Sequence, residues 1–416
     1  MGMSMRRVVV TGVGAVSPCG AEVATTWRNV SEGRSGIART DAFDPTGFAS
    51  QIAGECSDFD PLDYMQKHRL RETARFSQLA IAASAQAIKS ACFEATDEEK
   101  ERVGTFIGVG LYGLEAFEDA WKKLRHGGPR RVSPYLIPTG VANFASAQVT
   151  LEWGFKGPSY THSAAGASGA YAIGNAFRSI QHGYIDAAVA GGAEAAITPL
   201  GVAGYVSTGA VSRRNDEPEL ASRPFDADRD GFVLAEGAGV LVLEERAAAI
   251  ARGAQVLVEI VGYGATSEAS HVVEAGPTAE GAQRAMKLAL ADAQLNPEDL
   301  DYVNAHGTST PMGDRSELEA LRRVFGAHAT EGLAVSSTKS MTGHLVGASG
   351  GLEAVLCTLA IRDAIAPPTI NLHHPDPAGA GMNLVPQETQ DRAIRALMSN
   401  SFGLGGTNCA LVMQAP

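Results

Sequence analysis

Long apolar runs, paired cysteines and an excess of positive charge are all missing from this sequence. No run of about eighteen apolar residues occurs, which argues against a transmembrane helix. The five cysteines are scattered, odd in number and free of CxxC spacing, so we predict neither a disulfide framework nor a zinc site. Such cysteine usage fits a reducing, cytoplasmic compartment best.

Low-complexity tracts are missing too, and hydrophobic residues make up 45% of the chain. This composition excludes a disordered chain and predicts a soluble globular protein with a sizeable core. The net charge of −12 argues against nucleic acid as the main partner, because phosphate binding requires a basic face. A few small basic clusters interrupt the acidic background, and solvated surface charge is their plainest interpretation.

The chain repeats its own pattern in the same order. VVVTGVGAVS from Val8 is echoed by VEIVGYGATS from Val258, and an Ala-rich helical stretch follows each. GASGAYAIG from Gly166 is echoed by GASGGLEAV from Gly347, and two Gly-rich turns that lead into strands also correspond. These echoes indicate duplication of an α/β unit. We predict two halves, residues 1–253 and 254–416, packed face to face with a site between them.

Two short motifs have competing interpretations. The first matches the dinucleotide pattern GxGxxG over residues 108–113, but no strand ending in an acidic residue follows its helix. The second matches the hydrolase elbow GxSxG around Ser349, with His306 or His344 as a base. A loop rather than a strand precedes Ser349, so we favour a helix start that needs small residues.

Three polar residues lie in segments typical of a functional site. His306 follows a strand in the hydroxyl-rich segment VNAHGTSTPMGD, and Lys339 and His344 lie five apart in SSTKSMTGHLVGASG. Isolated histidines are usually surface or core residues, but two of them in Gly/Thr-rich loops indicate a site. The terminal NSFGLGGTN could supply backbone N–H groups to a carbonyl oxygen, although a plain hairpin would look the same.

Together, GPSYTHSAAGASG, RPFDADRDGFVLAEGAG, VNAHGTSTPMGD, SSTKSMTGHLVGASGG and NSFGLGGTN resemble the signature blocks of β-ketoacyl-acyl-carrier-protein synthase II and its relatives. The resemblance covers essentially the whole chain. It implies a thiolase-like fold in which the duplicated halves form a five-layer α-β-α-β-α sandwich. It also implies an acyltransferase of fatty-acid or polyketide synthesis, which joins an acyl thioester to malonyl-acyl carrier protein by decarboxylative Claisen condensation.

The resemblance implies a role for each matching residue. His306 and His344 would donate hydrogen bonds to the malonyl thioester oxygen as the enolate forms. Lys339 would orient and support His344; its polar loop gives no sign of desolvation. Phe402 would gate the acyl pocket, and its N–H with that of residue 166 would form the oxyanion hole. Further substrate-binding candidates are Thr308, Thr310, Leu111, Tyr112, Tyr135, Gly403 and Gly405.

Partners also follow from the resemblance. An acidic acyl carrier protein would deliver substrate on its phosphopantetheine, and the chain itself would bind no metal or cofactor. The basic residues that would form the docking face are Lys67, Arg69, Arg71, Arg130, Arg131 and Arg214. A homodimer is implied, with its contact around SPYLIP, and a heterodimer with a ketosynthase homologue is an alternative.

One residue departs from the family pattern at its central position. Where the family has the acyl-accepting cysteine, this chain has Gly166 in Ala165-Gly166-Ala167-Ser168-Gly169. Without a thiol, covalent acyl loading and condensation should be lost, whereas malonyl-acyl carrier protein decarboxylation should persist. The simplest interpretation is a Cys→Gly replacement in an otherwise intact synthase. The alternatives are a naturally non-condensing subunit, such as a chain-length factor or decarboxylase, and more remotely an α/β serine hydrolase.

Overall fold

The computed structural model describes residues 5–269 and 279–416. Its strands are β1 Val8–Val16, β2 Ile37–Arg39, β3 Ile52–Gly54, β4 Val103–Gly108, β5 Ser159–His162, β6 Ala187–Glu194, β7 Gly237–Glu245, β8 Val258–Ser267, β9 Tyr302–Asn304, β10 Ala334–Ser336, β11 Ile365–Ala366, β12 Gln390–Asp391, β13 Ala396–Gly403 and β14 Thr407–Gln414. Its α-helices are α1 Val23–Ser31, α2 Arg75–Ser90, α3 Leu114–Gly127, α4 Leu136–Gly140, α5 Phe144–Trp153, α6 Ser168–Gln181, α7 Pro199–Ser207, α8 Arg246–Ala251, α9 Glu280–Ala293, α10 Pro311–Phe325, α11 His328–Glu331, α12 Lys339–Thr342 and α13 Ser349–Asp363.

Ten strands form one continuous sheet in the order β10-β9-β13-β14-β8-β1-β7-β6-β4-β5. The order is symmetric about the antiparallel β1–β8 pair: β7 and β14, β6 and β13, β4 and β9, and β5 and β10 occupy matching places. Strand directions match as well, because β4 and β9 each pair in parallel with both neighbours, while β7 and β14 are antiparallel to theirs. The predicted duplication is therefore confirmed at the level of topology.

Helices cover both faces of each half of the sheet. Helices α6 and α13 contact strands of both halves, so they form the central layer. Helices α2 and α5 pack on the outer face of the first half, and α9, with α10 beside it, on that of the second. Three buried apolar clusters fill the spaces between these layers. The predicted five-layer α-β-α-β-α arrangement is thus confirmed. Its two β layers are the two halves of the continuous sheet, which are joined through the β1–β8 pair.

The two echoed helix starts have the same backbone geometry. Ala165, just before Gly166, has a φ of 47°, and Val346, just before Gly347, has a φ of 46°. A short 3-10 turn precedes α6 and α13 at these positions. The left-handed residue is therefore the one before the glycine. The predicted boundary at residue 253 falls between α8 and β8.

No helix within the described ranges has the length and apolar character needed to cross a lipid bilayer.

Candidate active site

Gly166 lies at the N-terminal end of the central helix α6 and is buried. A Cβ placed on it would lie 3.3 Å from the His344 Nε2 and 2.7 Å from the Phe402 carbonyl oxygen. Any side chain at this position would therefore point into the space in front of His344. The neighbouring Ser168 cannot serve there, because its hydroxyl donates to the Ala165 carbonyl at 2.7 Å.

His344 and His306 come together from two loops of the second half. Their ring centroids are 5.4 Å apart and the rings are nearly perpendicular. The His344 Nδ1 is hydrogen-bonded to the Ser349 hydroxyl at 2.9 Å, so its other ring nitrogen faces Gly166. The backbone N–H of His306 donates to Glu317 at 2.9 Å, which fixes the loop after β9. The fold thus brings the two predicted histidines side by side.

Lys339 is buried, with 1% of its surface exposed, and it forms an ion pair with Glu353 of α13. The expectation from its polar loop, that Lys339 is not desolvated, is wrong. The loop packs under α13, where Glu353 supplies the countercharge that a buried ammonium group requires. Lys339 makes no direct hydrogen bond to His344 in the described part of the chain, so its influence on the histidine is electrostatic.

Both imidazoles are biased toward the neutral form. Burial, the positive charge of Lys339 and the neighbouring His344 hold the pKa of His306 well below its usual value. Burial and Lys339 do the same to the pKa of His344. A neutral imidazole carries one N–H, and a buried N–H without water is a strong donor toward developing negative charge. The pair is therefore suited to stabilise an enolate oxygen at neutral pH.

Phe402 and the glycines after it line the other side of Gly166. The Phe402 ring lies 5.5 Å from that of His306, between centroids. A Cβ on Gly403 would lie only 3.2 Å from the Gly166 nitrogen, so glycine at 403 leaves that N–H uncovered. Among the described residues the Gly166 N–H has no acceptor. Gly405, exposed and with a φ of 86°, shapes the hairpin turn.

The chain resembles known proteins over nearly its full length. Residues 5–249 match the family "Beta-ketoacyl synthase, N-terminal domain", and residues 257–373 match "Beta-ketoacyl synthase, C-terminal domain". It is 46% identical over 98% of both chains to the 3-oxoacyl-[acyl-carrier-protein] synthase 2 of Staphylococcus aureus strain N315. The chain belongs to the β-ketoacyl synthase family.

Two solved structures of this family share the fold. One is a type II polyketide synthase acyl carrier protein in complex with its ketosynthase, with a TM-score of 0.92 and 30% identity over 99% of this chain and 100% of that one. The other is the ishigamide ketosynthase/chain length factor, with a TM-score of 0.92 and 32% identity over the same shares. The predicted thiolase-like fold is therefore confirmed. Its family relatives are acyltransferases.

The synthase-type acyl pocket was predicted at Leu111, Tyr112 and Tyr135. Leu111 packs against a buried apolar cluster that contains Phe232 and Val346. The Phe232 ring contacts that of His344 edge-on at 5.4 Å, so this cluster adjoins the histidine pair. Tyr112 is 47% exposed, and Tyr135 lies beneath Arg71 in a surface cleft between α2 and α3, so neither joins this cluster.

The remaining predicted residues are two threonines and the basic residues. The hydroxyls of Thr308 and Thr310 are 3.1 Å apart at the start of α10, in the loop that carries His306. Of the predicted docking residues, Lys67, Arg71, Arg130 and Arg131 are exposed. Arg69 is partly buried and paired with Glu152, and Arg214 donates to the Asp228 carbonyl, so these two are less free to meet a partner.

Sequence reasoning missed four side chains around the histidines. Glu353 has a visible signal, since it is the one acidic residue within the apolar run GGLEAVLCTLAI. Glu317 holds the two N–H groups of His306 and Gly307, yet in sequence it looks like any polar residue of an amphipathic helix. The other two are Phe232 and Ser349; the hydrolase motif paired Ser349 with His344, but as a nucleophile and not as the hydrogen-bond partner of Nδ1. Only tertiary contacts identify these three roles.

The two competing motifs are resolved by hydrogen bonds. The N–H groups of Gly110 and Leu111 donate to the Glu194 carboxylate, so they are not free to bind the phosphates of a dinucleotide. Ser349 is buried in α13, and a 3-10 turn rather than a strand precedes it. Although Ser349 contacts the His344 Nδ1, only 2% of its surface is exposed, which argues against attack on an ester.

Proposed function

We propose that this chain is a β-ketoacyl synthase that binds acyl-carrier-protein substrates but does not condense them, because Gly166 stands where the family's cysteine accepts the acyl group. The observation that carries this proposal is the direction of the missing side chain. A Cβ on Gly166 would lie 3.3 Å from the His344 Nε2, which supports a role for position 166 beside this histidine. The five cysteines present give no substitute, since four are buried and the exposed Cys92 follows α2.

Decarboxylation of malonyl-acyl carrier protein requires only groups that are present. Breaking the bond to the carboxylate releases carbon dioxide and leaves its electron pair on the thioester as an enolate. His306 and His344 stabilise that enolate oxygen by donating hydrogen bonds, and a proton from solvent completes acetyl-acyl carrier protein. Neither a thiol nor a metal enters this step.

The test compares the chain with Gly166→Cys and Gly166→Ala, using mass spectrometry to detect β-ketoacyl product from acyl- and malonyl-acyl carrier protein. Alanine is the matched control, because it adds the same Cβ beside the Phe402 carbonyl without a thiol. We expect at least ~10³-fold more product from Gly166→Cys than from either other form. Equal product from the chain itself and from Gly166→Cys would contradict the proposal.

Carbon dioxide release from malonyl-acyl carrier protein tests the retained activity. We expect release by the chain as it stands and none above background from His306→Ala/His344→Ala. Equal release by both forms would show that the histidines do not act on malonyl substrate.

A second candidate function is a non-condensing partner subunit, favoured by the similarity to the ishigamide ketosynthase/chain length factor. In that case Gly166→Cys would also fail to condense, and the chain would co-purify with a cysteine-bearing ketosynthase. Size-exclusion chromatography with light scattering, alone and with such a ketosynthase, separates a homodimer from a heterodimer.

A further inference from the structure

The carboxylate of Glu194 lies at the start of α13. This place matches that of Gly166 across the pseudo-twofold that relates the two halves. The Glu194 Oε2 accepts three backbone N–H groups: Gly110 at 2.8 Å, Leu111 at 3.2 Å and Gly347 at 3.1 Å. Two of these donors belong to the first half of the chain and the third to the second half. One buried oxygen therefore joins both halves.

The two helix starts differ in what covers their N–H group. Glu194 is the last residue of β6, and the matching last residue of β13 is Gly403. At Gly403 no side chain is present, and the Gly166 N–H is left open. At Glu194 the side chain occupies the corresponding place and caps the Gly347 N–H. The N–H group at the start of α6 is thus free to bind a ligand, whereas the one at the start of α13 is already bound by the Glu194 side chain.

The Glu194 contact has direct consequences for the pocket. Leu111, one of its donors, packs against the apolar cluster beside His344. Gly347 follows Val346 of the same cluster and lies three residues after His344. The backbones meet closely here, because a Cβ on Gly347 would lie 2.0 Å from the Gly110 nitrogen. Loosening Glu194 would therefore move the pocket wall relative to the histidine.

We infer that Glu194 is a positioning residue, which holds the Leu111 wall of the proposed acyl pocket against the loop of His344 and so sets the acyl chain lengths that fit. The inference rests on the proposed function only in taking this cluster as the acyl pocket. Glu194 touches neither the histidines nor the space before Gly166, so it acts through Leu111 and Gly347.

The charge state of Glu194 bears on this role. No cation pairs with it in the described part of the chain, and burial raises its pKa to about 7 despite the N–H donors. Tyr205 of α7 is the titratable group that it faces; the loop that carries Leu111 also holds Tyr112, which is 47% exposed, and the Val346–Gly347 turn carries none. Charge-assisted hydrogen bonds are roughly twice as strong as neutral ones. Deprotonation above about pH 7 therefore tightens the contact.

The experiment measures binding of acyl-coenzyme A thioesters, from butyryl to palmitoyl, by isothermal titration calorimetry at about pH 6 and about pH 8. We expect the unmodified chain to discriminate among chain lengths more strongly at the higher pH. Glu194→Gln keeps the shape of the side chain without its charge, so the variant should lose this pH dependence. The ratio of its affinities for the best and the worst chain length should fall about fivefold to tenfold. Glu244→Gln is the matched control: Glu244 is buried in the adjacent β7 but binds Arg252, away from the pocket.

Hydrogen exchange read by mass spectrometry gives a second measurement that does not depend on ligand. Glu194→Gln should speed exchange in peptides containing Gly110, Leu111 and Gly347, and leave the rest of the chain unchanged. Unaltered discrimination in Glu194→Gln, or the same loss in Glu244→Gln, would overturn the inference while leaving the proposed function intact. No acyl thioester binding by the unmodified chain would instead overturn both. Neither measurement requires condensation or decarboxylation.

Discussion

The positive charge of Lys339 affects the pKa of both histidines. It lies under α13 against Glu353, and its ammonium group lowers the pKa of His306 and of His344. Because its pKa is lowered, each histidine stays neutral at a lower pH. It therefore keeps its single N–H donor over a wider pH range. The buried ion pair thus contributes to the chemistry of the site as well as to the packing of α13.

Replacing Lys339 should shift the acid limb of decarboxylation. In Lys339→Met the positive charge is gone, so the histidine pKa values rise and protonation inactivates the pair at higher pH. We expect the acid limb of the rate profile, from carbon dioxide release, to move upward by about one pH unit. The exposed Lys287→Met serves as the control and should leave the profile unchanged.

We expect the fold to tolerate Lys339→Met because Glu353 need not stay ionised. Burial raises the pKa of Glu353 to about 7, so this carboxyl can take up a proton once its partner is removed. Thermal denaturation followed by circular dichroism checks that the variant remains folded. An acid limb that stays in place in a folded variant would show that Lys339 does not set the histidine pKa values.

At the scale of elements, the outer helices α2 and α9 each lie very close to a strand. A Cβ on Gly14 of β1 would lie 1.8 Å from the Ala83 carbonyl oxygen in α2. The matching Cβ on Gly264 of β8 would lie 2.0 Å from the Ala285 carbonyl oxygen in α9. The small residues echoed in the two halves are therefore required by backbone-to-backbone packing.

Gly14→Ala and Gly264→Ala should each lower the free energy of unfolding by about 1–3 kcal/mol, as overpacking does in a close-packed interior. Gly204→Ala is the matched control, since nothing lies within 4 Å of its added Cβ in α7. Alanine there should raise stability, by up to about 1 kcal/mol, through helix propensity. Urea denaturation measures all three. A neutral Gly264→Ala would contradict the equivalence of the two helix–strand contacts.

At the scale of the whole molecule, we predict a dimer whose contact includes the SPYLIP segment. Ile137 of α4 lies in this segment and is 59% exposed, and Tyr160 of the nearby edge strand β5 is 55% exposed. Exposed apolar side chains next to an unpaired sheet edge are typical of surfaces that bind another chain.

Ile137→Asp should convert the dimer to a monomer, because a charge buried at an interface is not compensated. Leu288→Asp is the control, because Leu288 is 50% exposed on the outer helix α9 of the second half, whereas the SPYLIP segment belongs to the first half. Light scattering after size-exclusion chromatography reports the mass of each. A dimer retained by Ile137→Asp would place the contact elsewhere.

Sequence alone determined the duplicated α/β halves and pointed to His306, His344 and Gly166. Duplication was readable because echoed glycines and small residues recur in the same order, and at Gly14 and Gly264 they mark equivalent helix–strand contacts. His306 and His344 were readable because each lies in a polar, glycine-rich segment at the end of a strand or before a helix.

Only the tertiary structure decided which groups hold these residues. Glu194, Glu317 and Glu353 come from β6, α10 and α13, and their sequence spacing from the histidines carries no information about distance. The burial of Lys339 was mispredicted for the same reason, since a polar loop gives no sign that a helix carrying a carboxylate packs over it. Side chains far apart along the chain meet only once it has folded: the contacts of Glu317 and Glu353 form within the second half, and the contact of Glu194 with Gly347 forms between the two halves.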